Sequence, residues 1–262
     1  MTANQRQRVY RTHAVILRRR DYADADRILT VYTPSLGKRA LIAKGIRKTT
    51  SRKAGHLELF THASLMASQA RTWDIVTEAT TVESFRHLRQ DLECIGRGAY
   101  ICELIDGFTE EEDENQPLWE LLTLCLRQLD ALGQTPNEAR AAVLMRWTEL
   151  HLLSLTGFQP QLFHCLDCGE PLRPETNFLM LMEGGVICPT CQNRRGGDGE
   201  TIDVDVLKVM RYLQSHSWSE VEQLSVRKPV MNRVQNILQR YLMAILERQL
   251  KSTDFLRRLK QS

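Results

Sequence analysis

Hydrophobic and polar positions change period once along this chain. From residue 9 to residue 84 they fall into short runs. Residues 9–20 alternate around Ala14, Ile16 and Arg18; residues 26–34 are rich in β-branched side chains and end at Pro34; residues 37–45 begin and end with glycine; residues 56–68 and 72–84 complete the series. Five strand-like runs in so short a stretch, parted by Gly, Pro or polar turns, predict a small closed β structure. That strand count suits an OB-type barrel better than a sandwich, with a small SH3-like barrel left open by composition alone.

From residue 84 the period becomes 3.6. Phe85, Leu88, Leu92, Ile95, Ala99 and Cys102 fall on one helical stripe. Leu118, Leu122, Cys125, Leu129 and Leu132 form a second, with Pro117 near its start. Val143, Trp147, Leu150 and Leu153 form a third, stopped by Gly157 and Pro160. Three such stripes predict helices packed on one another. Cys102 and Cys125 lie on the stripes and read as core, whereas Cys94 lies off its stripe and has no assigned role. Residues 110–114 are all acidic and read as a solvated loop, a site for a basic partner being the weaker alternative. Residues 193–200 read as a linker and 204–214 as a short helix. Pro229 opens a long helix with Val230, Val234, Ile237, Tyr241 and Ile245 on one face, expected to pack back on the middle helices.

The expected architecture is therefore α+β and multidomain. A five-stranded OB-type barrel occupies residues 1–83, a helical domain residues 84–160 and 200–262, and a small cysteine module, residues 161–199, is inserted as a zinc ribbon.

The cysteines carry the sharpest chemical signal. Cys165 and Cys168 form one C-x2-C pair, and Cys188 and Cys191 another, with 19 residues between the two pairs. That spacing matches a four-thiolate zinc site, because a two-residue gap lets both sulfurs of a pair face one ion. Gly169 permits a tight turn after the first pair. Residues 177–187 read as a hairpin turning at Gly184 and Gly185, which returns the second pair to the first. Four thiolates close a tetrahedral shell and leave no position for a catalytic water, so a Zn2+ here is expected to be structural. Two disulfides or an iron–sulfur cluster are the alternatives, and His164 is a substitute ligand of lower rank.

Charge adds a second signal. The net charge is only +3, yet residues 1–56 hold fourteen Lys and Arg against three acids, Asp21, Asp24 and Asp26. A basic block confined to one predicted domain points to a polyanion partner. The candidate DNA-binding residues are Arg18, Arg19, Arg20, Lys38, Arg39, Lys44, Arg47, Lys48, Arg52 and Lys53. Lys38 and Lys44 share one face if 38–46 is a strand, and the last four cations lie in a polar loop after it. Tyr10, Tyr22, Tyr32 and Phe60 are the aromatic candidates for base stacking, each better explained as packing. The pattern predicts electrostatic, sequence-independent binding.

Hydrophobic residues make up 42% of the 262 and charged residues 26%, as in folded globular chains. No apolar run approaches the roughly 18 residues of a membrane span, and the first residues lack the apolar core of a signal peptide, so a cytoplasmic, membrane-free location is expected. No phosphate-binding loop, GxSxG elbow or HExxH motif occurs, and no enzymatic activity is expected. Two other classes share some of these features. A zinc-ribbon transcription or RNA-binding factor would also combine basic and thiolate modules. A metal-dependent nuclease would need acidic ligands, for which Asp21, Asp24 and Asp26 come nearest.

Residues 14–60 resemble the N-terminal barrel of the RecO family of recombination mediators, most specifically at AKGIRK (43–48) with Ser51 and Arg52. AYICELID (99–106), RWTELHLLSLTGFQP (146–160) and TDFLRRL (253–259) are similar to that family's later segments, in the same order. The resemblance implies an OB-fold, a helical domain and, in some members, a zinc module. It further implies a DNA-repair accessory protein, associated with the nucleoid, that binds single- and double-stranded DNA and anneals complementary strands. Its implied partners are RecR, the single-strand-binding protein and, indirectly, the recombinase RecA. Many members lack the four cysteines, so the metal is expected to lie outside the shared activity.

Overall fold

The computed structural model describes residues 9–197 and 199–246. They form two compact units, 9–135 and 136–246. This division differs from one drawn by element type: the first two helices fall in the unit that holds the five N-terminal strands, and the remaining helices share a unit with the cysteine module.

In the first unit the strands are β1 (Val9–Tyr22), β2 (Asp26–Thr33), β3 (Gly37–Ala43), β4 (His62–Ser68) and β5 (Asp74–Glu83). They hydrogen-bond in the order β1-β2-β3-β5-β4 and return to β1, a closed barrel. All neighbours are antiparallel except β3 and β5. Residues 56–61, expected to belong to the fourth strand, instead precede it: a 3-10 turn spans Ala54–His56, and Leu57 is fully buried in the barrel core. The interior holds Ala14, Ile16, Leu29, Val31, Leu41, Leu65 and Val76 among others.

One irregularity in β1 decides which of its arginines face outward. The register with β2 shifts between Ile16, which faces Val31, and Arg18, which faces Thr30. Such a bulge adds one residue and reverses the alternation beyond it. Ile16 points inward, but Arg18 and Arg20 point outward, and Arg19, opposite the core residue Leu29, points toward the barrel mouth. A strict period of two would place Arg18 with Ala14 and Ile16.

Two helices complete this unit, α1 (Leu92–Phe108) and α2 (Gln116–Gln134). The first starts seven residues later than its hydrophobic stripe suggests. Phe85 adopts a left-handed φ of 46°, and residues 86–90 form turns. The true start is marked by Asp91, whose carboxylate accepts the Cys94 N–H at 2.7 Å. Leu92 is consequently exposed, and Cys94, Ile101, Leu104 and Ile105 are buried. Asn115 caps α2 by accepting the Leu118 N–H at 3.0 Å, and all five residues of its expected stripe are buried.

The second unit begins with α3 (Glu138–Leu155), whose expected stripe is fully buried. A small sheet follows, ordered β7-β6-β8 from β6 (Asn177–Met180), β7 (Gly185–Ile187) and β8 (Glu200–Ile202). Between β7 and β8 lies α4 (Pro189–Arg195), and after β8 come α5 (Val204–Ser215), α6 (Trp218–Val221) and α7 (Lys228–Leu246). The α7 helix packs on α3 and α5. Its buried face is Met231, Val234, Ile237, Leu238, Tyr241 and Leu242, rotated from the expected stripe by the large side chains of Met231, Leu238 and Leu242. No helix among the described residues is long and apolar enough to cross a membrane.

Candidate metal centre and nucleic-acid interface

The second unit brings Cys165, Cys168, Cys188 and Cys191 together, one Sγ from each, all within 4.8 Å of one another. Tetrahedral zinc with bonds of about 2.3 Å needs sulfurs about 3.8 Å apart, so the cluster needs only a small contraction to close on an ion. Its backbone is built for two knuckles. Gly169 takes a φ of +73° and returns its N–H to the Cys165 carbonyl at 3.0 Å. The Leu166 N–H bonds the Val186 carbonyl at 3.0 Å, tying the first pair to β7. Residues 177–187 form the expected hairpin, with Gly184 left-handed at the turn. Pro189 opens α4 directly after Cys188, so Cys191 lies in its first turn.

The donor chemistry suits a cation. Burial alone would raise the Cys165 thiol, but backbone N–H groups of Cys168, Cys188 and Asp167 outweigh it and bring its pKa down to about 6. The Cys188 N–H lies 3.3 Å from the Cys165 sulfur. Burial and neighbouring thiols push Cys191 up to about 12. Four thiols crowded at this distance resist losing four protons together unless a cation neutralises them. Arg195 braces the module, its guanidinium donating to Asp167 and to Glu183 at 2.7 Å each. These residues fit a structural Zn2+, which would cross-link the two knuckles. His164 is exposed and lies outside the cluster.

The basic residues of the barrel divide into two sets. Lys38 faces outward with Lys44, but its ammonium is spent on α1. It donates to the carbonyl oxygens of Asp106 at 2.6 Å and of Thr109, and sits 3.4 Å from the Asp106 carboxylate. It thus caps the C-terminus of that helix, where carbonyls lack partners. Arg39 reaches Asp74 at 3.0 Å and Glu112, and the Tyr10 hydroxyl donates to the same Asp74 at 2.7 Å. Arg19 is paired with Glu58. Lys53 donates to the Val76 carbonyl at 2.7 Å, and burial lowers its pKa. These four of the ten candidates are engaged by their own unit.

The other six are exposed. Arg18 and Arg20 point out from β1, Lys44 follows β3, and Arg47, Lys48 and Arg52 lie in the loop beyond. Arg18 and Arg47 have acidic neighbours only at 3.6 Å, Asp106 and Asp21 respectively. Arg20, Lys44, Lys48 and Arg52 have no ion-pair partner among the described residues. The loop is held against the β1–β2 turn by the Arg47 N–H bonding the Ala25 carbonyl at 2.9 Å and the Gly45 N–H bonding the Asp26 carboxylate at 2.7 Å.

Two of the three acids of this region are occupied structurally, and the third, Asp24, is exposed in the β1–β2 turn. Asp21 pairs with Arg27 at 2.7 Å, a bond that lowers its pKa, and Asp26 holds the Gly45 N–H. Among the described residues they are not gathered into a metal-binding group. The acidic segment 110–114 is exposed, as expected of a solvated loop, but is also anchored: Glu111 bridges to β3 at Gly37 and Lys38. Gly37 is required there, since a Cβ would lie 2.1 Å from the Asp113 carbonyl oxygen.

Of the aromatic candidates, Tyr32 and Phe60 are buried and Tyr10 is hydrogen-bonded to Asp74. Tyr22 is exposed and meets Trp73, a residue that the alternating pattern alone gave no reason to single out. An alternative basic surface would join Arg194 and Arg195 to the C-terminal Arg257, Arg258 and Lys260. Arg194 and Arg195 are exposed, Arg195 being paired with Asp167 and Glu183. The three C-terminal cations and the TDFLRRL segment lie outside the described residues.

Lys38 provides a direct stability prediction. Lys38→Met keeps the stem but strands the carbonyls it bonds, and should cost ~1–3 kcal/mol. Chemical denaturation of the purified variant measures this; unchanged stability would deny the capping role.

A closed basic barrel joined in one chain to helices and a four-cysteine cluster defines an α+β protein with a candidate metal centre and a candidate polyanion surface. Residues 7–85 match the family model described as Recombination protein O N terminal, and residues 89–254 match Recombination protein O C terminal. The chain belongs to the RecO family of DNA repair proteins. It is 40% identical over 258 residues to the DNA repair protein RecO of Roseiflexus sp. (strain RS-1), covering 98% of this chain and 88% of that one. It is 32% identical over 243 residues to the same-named protein of Dehalococcoides mccartyi (strain ATCC BAA-2266 / KCTC 15142 / 195), covering 93% of each. With that of Desulforamulus reducens (strain ATCC BAA-1160 / DSM 100696 / MI-1) it shares 33% identity over 259 residues, covering 97% of this chain and 96% of the other.

Proposed function

We propose that the chain acts in DNA repair as a recombination accessory protein without enzymatic turnover. Its barrel is an OB-type module that grips the phosphate backbones of single- and double-stranded DNA. Arg18, Arg20, Lys44, Arg47, Lys48 and Arg52 provide the grip, and Lys38, Arg39, Arg19 and Lys53 shape the surface from within. The observation that carries this reading is the exposure of those six cations on the barrel of a DNA-repair family.

The mechanism follows from electrostatics. Two complementary strands repel through their phosphates, and a basic surface that neutralises this repulsion leaves the base edges free to pair. No step needs nucleotide hydrolysis. In this reading RecR joins the protein on DNA coated by the single-strand-binding protein, and RecA is loaded as the outcome. The cysteine module holds a structural zinc that shapes the second unit and takes no part in the chemistry.

Annealing of two complementary oligonucleotides, without ATP, tests the reading. The purified chain should accelerate annealing at protein concentrations that saturate the strands. Rates equal to those of the strands alone would contradict it.

A further inference from the structure

The barrel face that carries the exposed cations also carries an aromatic pair that its packing leaves open. Tyr22 ends β1 and Trp73 immediately precedes β5. Their rings meet edge to face, with centroids 5.3 Å apart and planes at 77°. Tyr22 is 43% exposed, and Trp73 is half-buried, whereas Trp119, Trp147 and Trp218 are each at most 9% exposed. The hydroxyl of Tyr22 and the indole N–H of Trp73 have no hydrogen-bond partner among the described residues, while Tyr10 and Trp147 both use theirs.

The register places this pair among the cations. Tyr22 faces Asp26, and Lys44 follows Ala43, the partner of Arg27, so Tyr22, Asp26 and Lys44 form one row on the outer face. Arg20, Ile28, Ile42 and Ile75 form the adjacent row. Trp73 precedes Asp74, which pairs with Leu41 on β3. A contact between Tyr22 and Trp73 therefore joins the β1–β2 turn to the β4–β5 turn across the outer face of β2 and β3. In OB-type barrels this face and these two turns are where oligonucleotides bind.

An edge-to-face pair leaves a ring face available, and stacking on an aromatic ring tolerates any base because every base has a π-face. We propose that Tyr22 and Trp73 form a stacking platform for an unpaired base of single-stranded DNA whose phosphates lie on Arg20 and Lys44. This rests on the nucleic-acid reading above and adds a component that electrostatics lacks. A base paired within a duplex is not free to enter the platform, so the contact favours single strands and is given up when strands anneal.

The experiment compares two oligomers of equal length and charge, oligo-dT and the same backbone made abasic, binding to the full chain at one salt concentration. The wild-type protein should prefer oligo-dT by about ten-fold or more. Tyr22→Leu with Trp73→Leu should erase that preference while leaving abasic binding and its salt dependence unchanged. Tyr22→Phe with Trp73→Phe, which retains ring faces and guards against a simple folding defect, should keep most of it. Equal wild-type affinity for the two oligomers, or a preference that survives the double leucine variant, would overturn the platform. Failure of the underlying reading shows differently: Arg20→Glu with Lys44→Glu would then leave abasic binding undiminished.

Discussion

Replacing Cys165 and Cys168 by serine should abolish stoichiometric metal and unfold the module around it. The small sheet has strands of three or four residues, too little to hold a sheet by pairing alone. Its knuckles depend on a cross-link: apparent zinc affinities in comparable peptides amount to ~10–16 kcal/mol, which becomes folding free energy when no site exists in the unfolded chain. Metal content by elemental analysis should fall from one ion per chain to none. Amide protection should be lost across residues 161–202. DNA binding should persist in part, because the cations lie in the other compact unit. Full metal occupancy in the double variant would remove these cysteines as ligands.

Reversing the charge of Arg20, Lys44, Lys48 and Arg52 together should weaken single-stranded DNA binding by on the order of 100-fold or more at moderate salt. Thermal stability and metal content should stay near wild type, since these four side chains have no ion-pair partner among the described residues. Reversing Lys38 and Arg39 should do the opposite. Those side chains hold the end of α1, Asp74 and Glu112, so the fold suffers first, and any DNA defect follows from it. Affinity and melting temperature measured on both variants separate the two sets. Equal losses of affinity without loss of stability would show that burial does not sort the cations as described.

How much of this was legible in the sequence depended on whether the signal was local. The cysteine spacing is local, and Gly169 and the Gly184–Gly185 turn lie within the same short segment, so the cluster could be read directly. The five strands were also visible, because alternation and turn residues are properties of each run. The bulge between Ile16 and Arg18 was not, since an extra residue is defined only against the partner strand. That one residue decides which arginines face out. The roles of Lys38 and Arg39 were hidden for a related reason. Their partners Asp106 and Asp74 lie 68 and 35 residues away, and a run of cations says nothing about which of them a later helix or strand will claim. Leu92 shows the converse error: it fits a helical stripe, but Asp91 starts the helix there and turns Leu92 to solvent. Trp73 stands alone in a polar turn, and its meeting with Tyr22 requires the closed barrel.

The most direct test of the account is a salt titration of single-stranded DNA binding by the full chain. If about five phosphates are neutralised by the exposed cations, log affinity should fall against log salt with a slope of roughly −3.5, at ~0.7 per contact. The slope should be the same for oligonucleotides of different mixed sequence. A slope near zero, or one that changes with sequence, would contradict a backbone grip by this barrel face.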